Sequence, residues 1–395
     1  MPAGRVEAQR WVRLTLGAIM AVVFVASLAG ACVLWPKAQD RPTPPQMYAD
    51  GTRLETGVVT GVRPAAEPVS LADAGLEVMV RLDGTDGPVA IQTIPEVGAE
   101  DLHKGDRIKV MFIPQAAATG SPYVFVDFIR GPPLVWLVLI FGAVVVAVAR
   151  LKGLAALAGL AAALAIVWFF VLPALAAGRD AVAVALVAVG LVLIVVVYTT
   201  HGISVRTTTA LLGTYVGAGI VLGLAGWAIP ASHLTPRTHQ DMNELIAYAP
   251  AVDLRGVLLC GMVLAGIGVL NDVTITQASA VWELRGAAPE IPRRTLFARA
   301  MRIGRDHIAS TVYTIAFAYV GTALATLLLV RVFDHSFADL FTFEEIADEI
   351  VRTLVASIGL VLAIPLTTAI AVWLNTPVPA VPGKTEPPPP LPAQG

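Results

Sequence analysis

A chain of 395 residues could build two or three soluble domains, but 56% of this one is hydrophobic and only 14% is charged, against roughly 25% charged in a soluble globular chain. Too few polar residues remain to cover a water-facing surface, so much of the surface faces lipid. The net charge of -2, from 27 basic and 29 acidic residues, offers no basic excess for nucleic acid. Two cysteines, Cys32 and Cys260, exclude a disulfide framework and a four-ligand zinc site. Both lie in apolar runs and read as buried thiols behaving as small hydrophobes. No Walker motif is present, so the chain does not itself hydrolyse ATP by that chemistry.

The expected fold is mainly α: a polytopic helical membrane bundle of about eight spans, carrying a small extracytoplasmic all-β domain of OB-like type. Residues 1–35 form an N-terminal stub and anchor helix, 36–131 the β domain, 132–375 a seven-helix membrane domain and 376–395 a proline-rich tail. The apolar runs are Leu14–Leu34, Leu134–Ala149, Gly153–Leu175, Ala181–Tyr198, Thr207–Ile229, Gly256–Asp272 or beyond, Ile308–Val330 and Leu354–Trp373. Arg5, Arg10 and Arg13 precede the first run. That run is longer than the roughly 7–15 residues of a signal-peptide core, so it reads as an uncleaved anchor.

Between the first two runs, β-like stretches at Glu55–Val62, Leu76–Leu82, Val89–Ile94, Arg107–Ile113 and Tyr123–Ile129 alternate with turn chemistry such as Asp83-Gly84, Asp86-Gly87 and Lys104-Gly105-Asp106. Five strands in so short a segment suit a small barrel, with a β-sandwich fragment as the alternative. Tyr123, Phe125 and Phe128 read as core, not as a base-stacking platform, which points to a protein-binding or gating role.

Two later loops carry helix-start residues. Thr238 with Asp241 opens a short amphipathic segment presenting Met242, Leu245 and Ile246, and Thr342 with Glu345 makes a capping box for a final helix beginning near Phe343. Glu344, Asp348 and Glu349 place negative charge at that helix start.

The lysine and arginine bias sets the orientation. With the N-terminus inside, thirteen basic residues fall on the cytoplasmic side and five on the short external loops. Both termini are then cytoplasmic, residues 36–131 are extracytoplasmic, and the location is a bacterial cell membrane.

The chemistry concentrates in Gly266–Leu284. A straight helix over 256–284 would be about 43 Å long against about 30 Å of hydrocarbon, so it must tilt, protrude or break near Asn271. Asp272 lies inside that span, where a carboxylate costs about 2.5–3.5 kcal/mol and needs a partner or water. Asn271, Thr274, Thr276 and Ser279 add oxygens nearby. These groups suit an ion or proton pathway, and equally serve as interhelical hydrogen-bonding groups. His201 in Tyr198–Arg206 and Asp306 in Ile303–His307 are further candidates for proton handling; a solvated loop histidine and an interfacial Arg305–Asp306 pair are the plainer readings. Thr311, Tyr313, Thr314 and Tyr319 recur at helical spacing and are expected to face protein. Gly213, Gly217, Gly219, Gly223 and Gly321 mark small-residue packing faces. No hydrolase motif is present, and no catalytic, metal or cofactor residues are assigned.

His201-Gly202 followed by Thr207–Gly213, Leu270-Asn271-Asp272-Val273 leading to Glu283-Leu284, and Gly304-Arg305-Asp306 leading to Ala318–Gly321 together resemble the YibE/F family of bacterial membrane proteins over residues 134–373. The departures are Tyr313, where the family pattern has an amide, and Ala325, where it has a proline. The resemblance implies a multi-pass membrane protein and supplies no substrate. The expected partners are the lipid bilayer and a second copy or another membrane protein. Two functions remain open: permease-like transport of an ion or small solute with Asp272 as coupling residue, or a non-transporting scaffold that recruits partners through the β domain.

Overall fold

The computed structural model describes residues 3–40, 42, 49, 51–64, 76–84, 87–92, 101–115, 121–235, 240–333, 336 and 341–375. Thr238 and the 376–395 tail lie outside them. The chain divides into two compact units, Pro44–Val148 and the remainder.

In the first unit, five strands close into a barrel: β1 (Arg53–Pro64), β2 (Leu76–Leu82), β3 (Pro88–Gln92), β4 (Arg107–Phe112) and β5 (Tyr123–Phe128). The order around the barrel is β1-β2-β3-β5-β4, with β4 returning to β1. All neighbours are antiparallel except β3 and β5, which are parallel where Gln92 meets Val124. Closure removes the sandwich alternative. Strand β1 serves both sides, pairing with β4 through Arg53–Val58 and with β2 through Gly57–Pro64, and an irregularity between Val59 and Gly61 bends it. Alternate residues point inward, so Val78, Val80 and Leu82 of β2 meet Ile108 and Val110 of β4, Ile91 and Phe125. Tyr123 and Phe128 pack against this core, as expected.

The same unit continues into the first part of α2 (Gly131–Ile166), whose Leu134–Ile140 side chains are all exposed. The second and third expected spans are not separated by a loop. They run on through α2, a π-helical turn at Val167–Val171 and α3 (Leu172–Ala176) as one helical stretch of 46 residues. The break lies within it, at Arg150, whose φ of 54° and ψ of -132° leave the helical region.

The second unit is helical: α1 (Ala3–Leu34), the Ala149 end of α2 onward, α4 (Ala181–His201), α5 (Val205–Ala231), α6 (Gln240–Tyr248), α7 (Leu254–Ala287), α8 (Arg293–Thr322), α9 (Leu324–Val332) and α10 (Glu344–Leu374). Among the described residues, six helices are long and apolar enough to cross a membrane, and a seventh crossing is made if α8 and α9, bent 63° from each other, count as one. The bend falls between Thr322 and Leu324 and is made without a proline. Helix α7 is continuous through Asn271, which removes the break from the three alternatives and leaves tilt or protrusion for its 34 residues.

Helices α5, α7 and α10 pack on one another most extensively; α8 flanks α7 and α10, and α4 lies against α1 and α7. Close approach is set by two of the expected glycines. A Cβ at Gly213 would collide with Thr367 of α10, and one at Gly217 would press on Leu270 and Ala363. Gly219, Gly223 and Gly321 face open space and are not packing positions within the chain. Gly190 of α4 instead admits Ser27 of α1, and Gly304 of α8 admits Ile364 of α10.

Three further expectations change. Cys260 is buried but Cys32 is exposed, on the outward face of α1. The N-cap of α10 is Phe343, one residue past the Thr342 expected there, and the side chain of Glu345 lies outside the described residues. Tyr313 is 66% exposed and Thr314 is exposed too, leaving Thr311 and Tyr319 half-buried on that helix.

Candidate functional site

Helical geometry turns successive residues by about 100°, so the polar residues of α7 cannot share one face. Val273, Thr274, Gln277, Val281 and Arg285 point inward and are buried, while Asp272 and Thr276 point outward and are exposed. The group of oxygens that the sequence places at one depth is therefore two groups.

The inward group joins helices. The Thr274 and Thr214 hydroxyls, both fully buried, lie 2.6 Å apart between α7 and α5, and Thr274 also donates to the Asn271 carbonyl at 3.2 Å. The Gln277 amide donates to the Ala300 carbonyl of α8 at 3.0 Å and to the Thr368 hydroxyl of α10 at 2.7 Å. One side chain thus ties three helices. Thr368 passes its own proton to the Ile364 carbonyl at 2.7 Å, whereas the neighbouring Thr367 hydroxyl is buried with no hydrogen-bond partner among the described residues. Two turns further on, Arg285 is buried and donates to the Ile291 carbonyl at 2.5 Å and to the Asn375 carbonyl at 3.2 Å, tying the α7–α8 connection to the end of α10.

On the outward face, the Asp272 carboxylate stands 4.0 Å from Nε2 of His307 on α8, its side chain 74% exposed against 29% for the histidine. Protein therefore leaves most of the Asp272 side chain uncovered, and His307 is the ionisable group that stands nearest to it as a partner. The distance exceeds a hydrogen bond, and Nε2 of His307 and Oδ1 of Asn271 are buried atoms with no hydrogen-bond partner among the described residues. Thr276 bonds only back to the Asp272 carbonyl, at 2.8 Å. Asp306 and Arg305 are exposed on α8 and do not join the pair, and His201 is exposed at the end of α4. The candidate motif on α8 was thus displaced by one residue: His307, not Asp306, reaches α7. Helical phase carries the signal, because His307 follows buried Gly304 by three positions and lies on its side of α8.

A second ionic group lies on α10. Arg352 donates to Asp348 at 2.9 Å and approaches Glu349 at 3.8 Å, with the Asp348 side chain only 12% exposed. Arg352 sits 3.8 Å from the position a Cβ would take at Gly261 of α7. The i, i+4 spacing of Asp348 and Arg352 is legible in the sequence. Its burial is not, since the sequence alone places these residues near the outer helix end.

Among the described residues no group of three histidine, cysteine, aspartate or glutamate side chains could hold a metal ion. The YibE/F-like protein family model matches residues 137–377, well over half of the chain and all of α4, α5, α7, α8 and α10. The chain belongs to the YibE/F-like family. The match covers Asp272, His307, Gln277 and Arg352 alike. No curated protein and no solved structure matches the chain significantly. Membership and the long apolar helices make it a membrane protein of this family.

Proposed function

We propose that this YibE/F-like protein is a permease-like carrier of protons or of a proton-coupled small solute, with Asp272 and His307 as its proton-handling pair. The observation that carries the reading is the pairing itself: a carboxylate and an imidazole from two different helices, held 4.0 Å apart beside the unpartnered Asn271 oxygen. Ionisable groups at membrane depth are costly and persist where they serve a pathway, and a carboxylate–imidazole pair is the side-chain chemistry of proton transfer. The Asp348–Arg352–Glu349 group supplies a second station. Gly261, which it flanks, precedes Asp272 by about 16 Å along α7.

Eight crossings accompany this reading. The 46-residue stretch would reach roughly 70 Å as one helix, more than twice the hydrocarbon thickness. Its non-helical residue, Arg150, sits beside Lys152, where a turn at the membrane surface would be. The bias of basic residues supports cytoplasmic termini and a cytoplasmic α7–α8 connection with its arginines, in a bacterial cell, with the barrel outside. A scaffold role through the barrel is the second reading, favoured only by the barrel's closed, independent core.

Proteoliposomes holding a pH-sensitive dye and given an inward proton gradient test the proposal. Wild-type protein should acidify the lumen faster than protein-free vesicles. Asp272→Asn and His307→Gln should each abolish the gain, and Asp272→His/His307→Asp should restore part of it. Wild-type rates in both single variants would remove the pair from the mechanism.

A further inference from the structure

A cleft of about 1030 Å³ opens between α1, α4, α5 and α7, at the end of the helical unit formed by the start of α1 and the α4–α5 turn. Its walls are apolar: Leu16, Met20 and Phe24 of α1 face Ile194 of α4. Its width comes from small side chains, since Gly17 and Ala21 line it and a Cβ at Gly17 would meet nothing within 4 Å. A separate cavity of about 340 Å³ lies deeper between α1, α4 and α5, and Met20 lines both.

The cleft's polar groups are few. Arg13 and Arg206 carry two positive charges and Glu283 one negative. Neither arginine has an ion-pair partner among the described residues. The Tyr198 and Thr208 hydroxyls, 3.0 Å apart, are uncharged and leave the charge of the guanidiniums unchanged. Ser204, Val205 and Arg206 bring the positive end of the 27-residue helix α5 to the same cleft.

We infer that this cleft binds one anionic glycerophospholipid of the surrounding bilayer, its phosphodiester between Arg13 and Arg206 and one acyl chain along Leu16, Met20 and Phe24. The charges decide between lipids. Two guanidiniums against one carboxylate leave a single positive charge, which one anionic phosphodiester headgroup neutralises and a zwitterionic headgroup does not. Glu283 can accept from headgroup hydroxyls, as a glycerol headgroup offers. Basic pockets between membrane helices on the cytoplasmic side are suited to anionic headgroups, and the N-terminus-inside orientation proposed above puts this cleft in the inner leaflet. The inference needs no transport activity, so it stands or falls separately from the proton-handling pair.

Native mass spectrometry of the full-length protein tests it, with phosphatidylglycerol, phosphatidylethanolamine and phosphatidylcholine titrated in turn into the detergent-purified sample. Wild-type protein should retain one phosphatidylglycerol with an apparent affinity on the order of tenfold above phosphatidylcholine or phosphatidylethanolamine. Arg13→Gln/Arg206→Gln should reduce that preference to near unity. Arg299→Gln/Arg302→Gln, which removes the same charge from the exposed face of α8, should leave it unchanged. Ala21→Trp, which fills the cleft and keeps both arginines, should lower retention of all three lipids. Equal retention of the three lipids by the wild type would overturn the proposal. So would an undiminished preference in the Arg13/Arg206 variant, or undiminished phosphatidylglycerol retention in Ala21→Trp.

Discussion

In the barrel, every described residue closed off from solvent is apolar: Val59, Val78, Val80, Leu82, Ile91, Leu102, Ile108, Val110 and Phe125. Its charges lie outside, as in the Asp83–Arg107 pair, where both side chains are about half exposed. The α5–α7–α10 core also buries apolar side chains, such as Leu211, Val221, Leu270 and Ile364, but it admits polar ones. Thr214, Thr274, Gln277, Thr367 and Thr368 are at most 2% exposed there, while Phe317, Trp227 and Trp373 stand outside at 67% or more. Water rewards the first arrangement through apolar burial. Lipid gives apolar side chains no reason to turn inward, so helices are joined by close approach at small residues and by hydrogen bonds that have no better partner. One chain thus holds two interiors, an apolar one in the barrel and an apolar one crossed by interhelical hydrogen bonds in the helical unit.

The comparison breaks most visibly at Gly213. In Gly213→Val the new side chain has no room beside Thr367, α5 and α10 must part, and the folded protein should be lost from the monodisperse peak in size-exclusion chromatography. Gly219→Ala, on the same helix but facing open space, should keep the peak and raise thermal stability slightly, because alanine favours the helix by up to about 1 kcal/mol. A wild-type profile for Gly213→Val would show that close approach does not hold α5 to α10.

Residues 36–131 expressed alone should give a soluble domain with a β far-UV circular dichroism spectrum. Within it, Ile108→Ala removes a fully buried side chain and should cost about 2–5 kcal/mol in urea unfolding. A cost under about 1 kcal/mol would mean that the barrel core collapses around the gap. In the helical unit the corresponding probe is polar. Gln277→Leu keeps bulk, removes two interhelical bonds, and should cost about 1–3 kcal/mol, read as a lower melting temperature in detergent. An unchanged melting temperature would show that lipid-facing packing, not hydrogen bonding, secures α7, α8 and α10.

The smallest effect is at the barrel surface. The Thr56 hydroxyl and the Arg107 guanidinium hold the Asp83 carboxyl below its ordinary value. A group depressed in the folded state stabilises above its unfolded pKa and loses that contribution as pH falls through the folded one. The melting-temperature difference between the wild-type domain and Asp83→Asn should therefore narrow as pH drops from about 6 to about 2. A difference independent of pH would assign it to packing instead of charge.

The two regions were also unequally legible. Alternation places Leu76–Leu82 as a strand in sequence and structure alike, and the other four strands agree within two residues at each end, because a half-buried strand writes its two faces into the sequence. The membrane helices are as easy to find and much harder to orient. Helices such as α4 and α7 have no single apolar face, so hydropathy does not say which side meets protein. Asn271, Asp272, Thr274 and Thr276 therefore read as one polar cluster, although Asp272 and Thr274 are about 200° apart around the helix. Helical phase alone separates them, and it would have added Gln277 to the side of Thr274. Arg285 and Arg352 enter the sequence reading as topology charges only. Their partners, the Ile291 and Asn375 carbonyls and the Asp348 carboxylate, come from parts of helices whose packing no local pattern encodes.

The division of α7 into a structural inner face and a functional outer face is tested most directly by Asp272→Asn. Melting temperature and dye-reported proton flux are to be measured on the same reconstituted preparation, with Gln277→Leu alongside. Asp272→Asn is predicted to melt with the wild type and to lose the flux, because its exposed side chain supports no packing and is the proton site in the function proposed above. A lowered melting temperature with the flux intact would contradict this, placing Asp272 among the residues that hold the helices together.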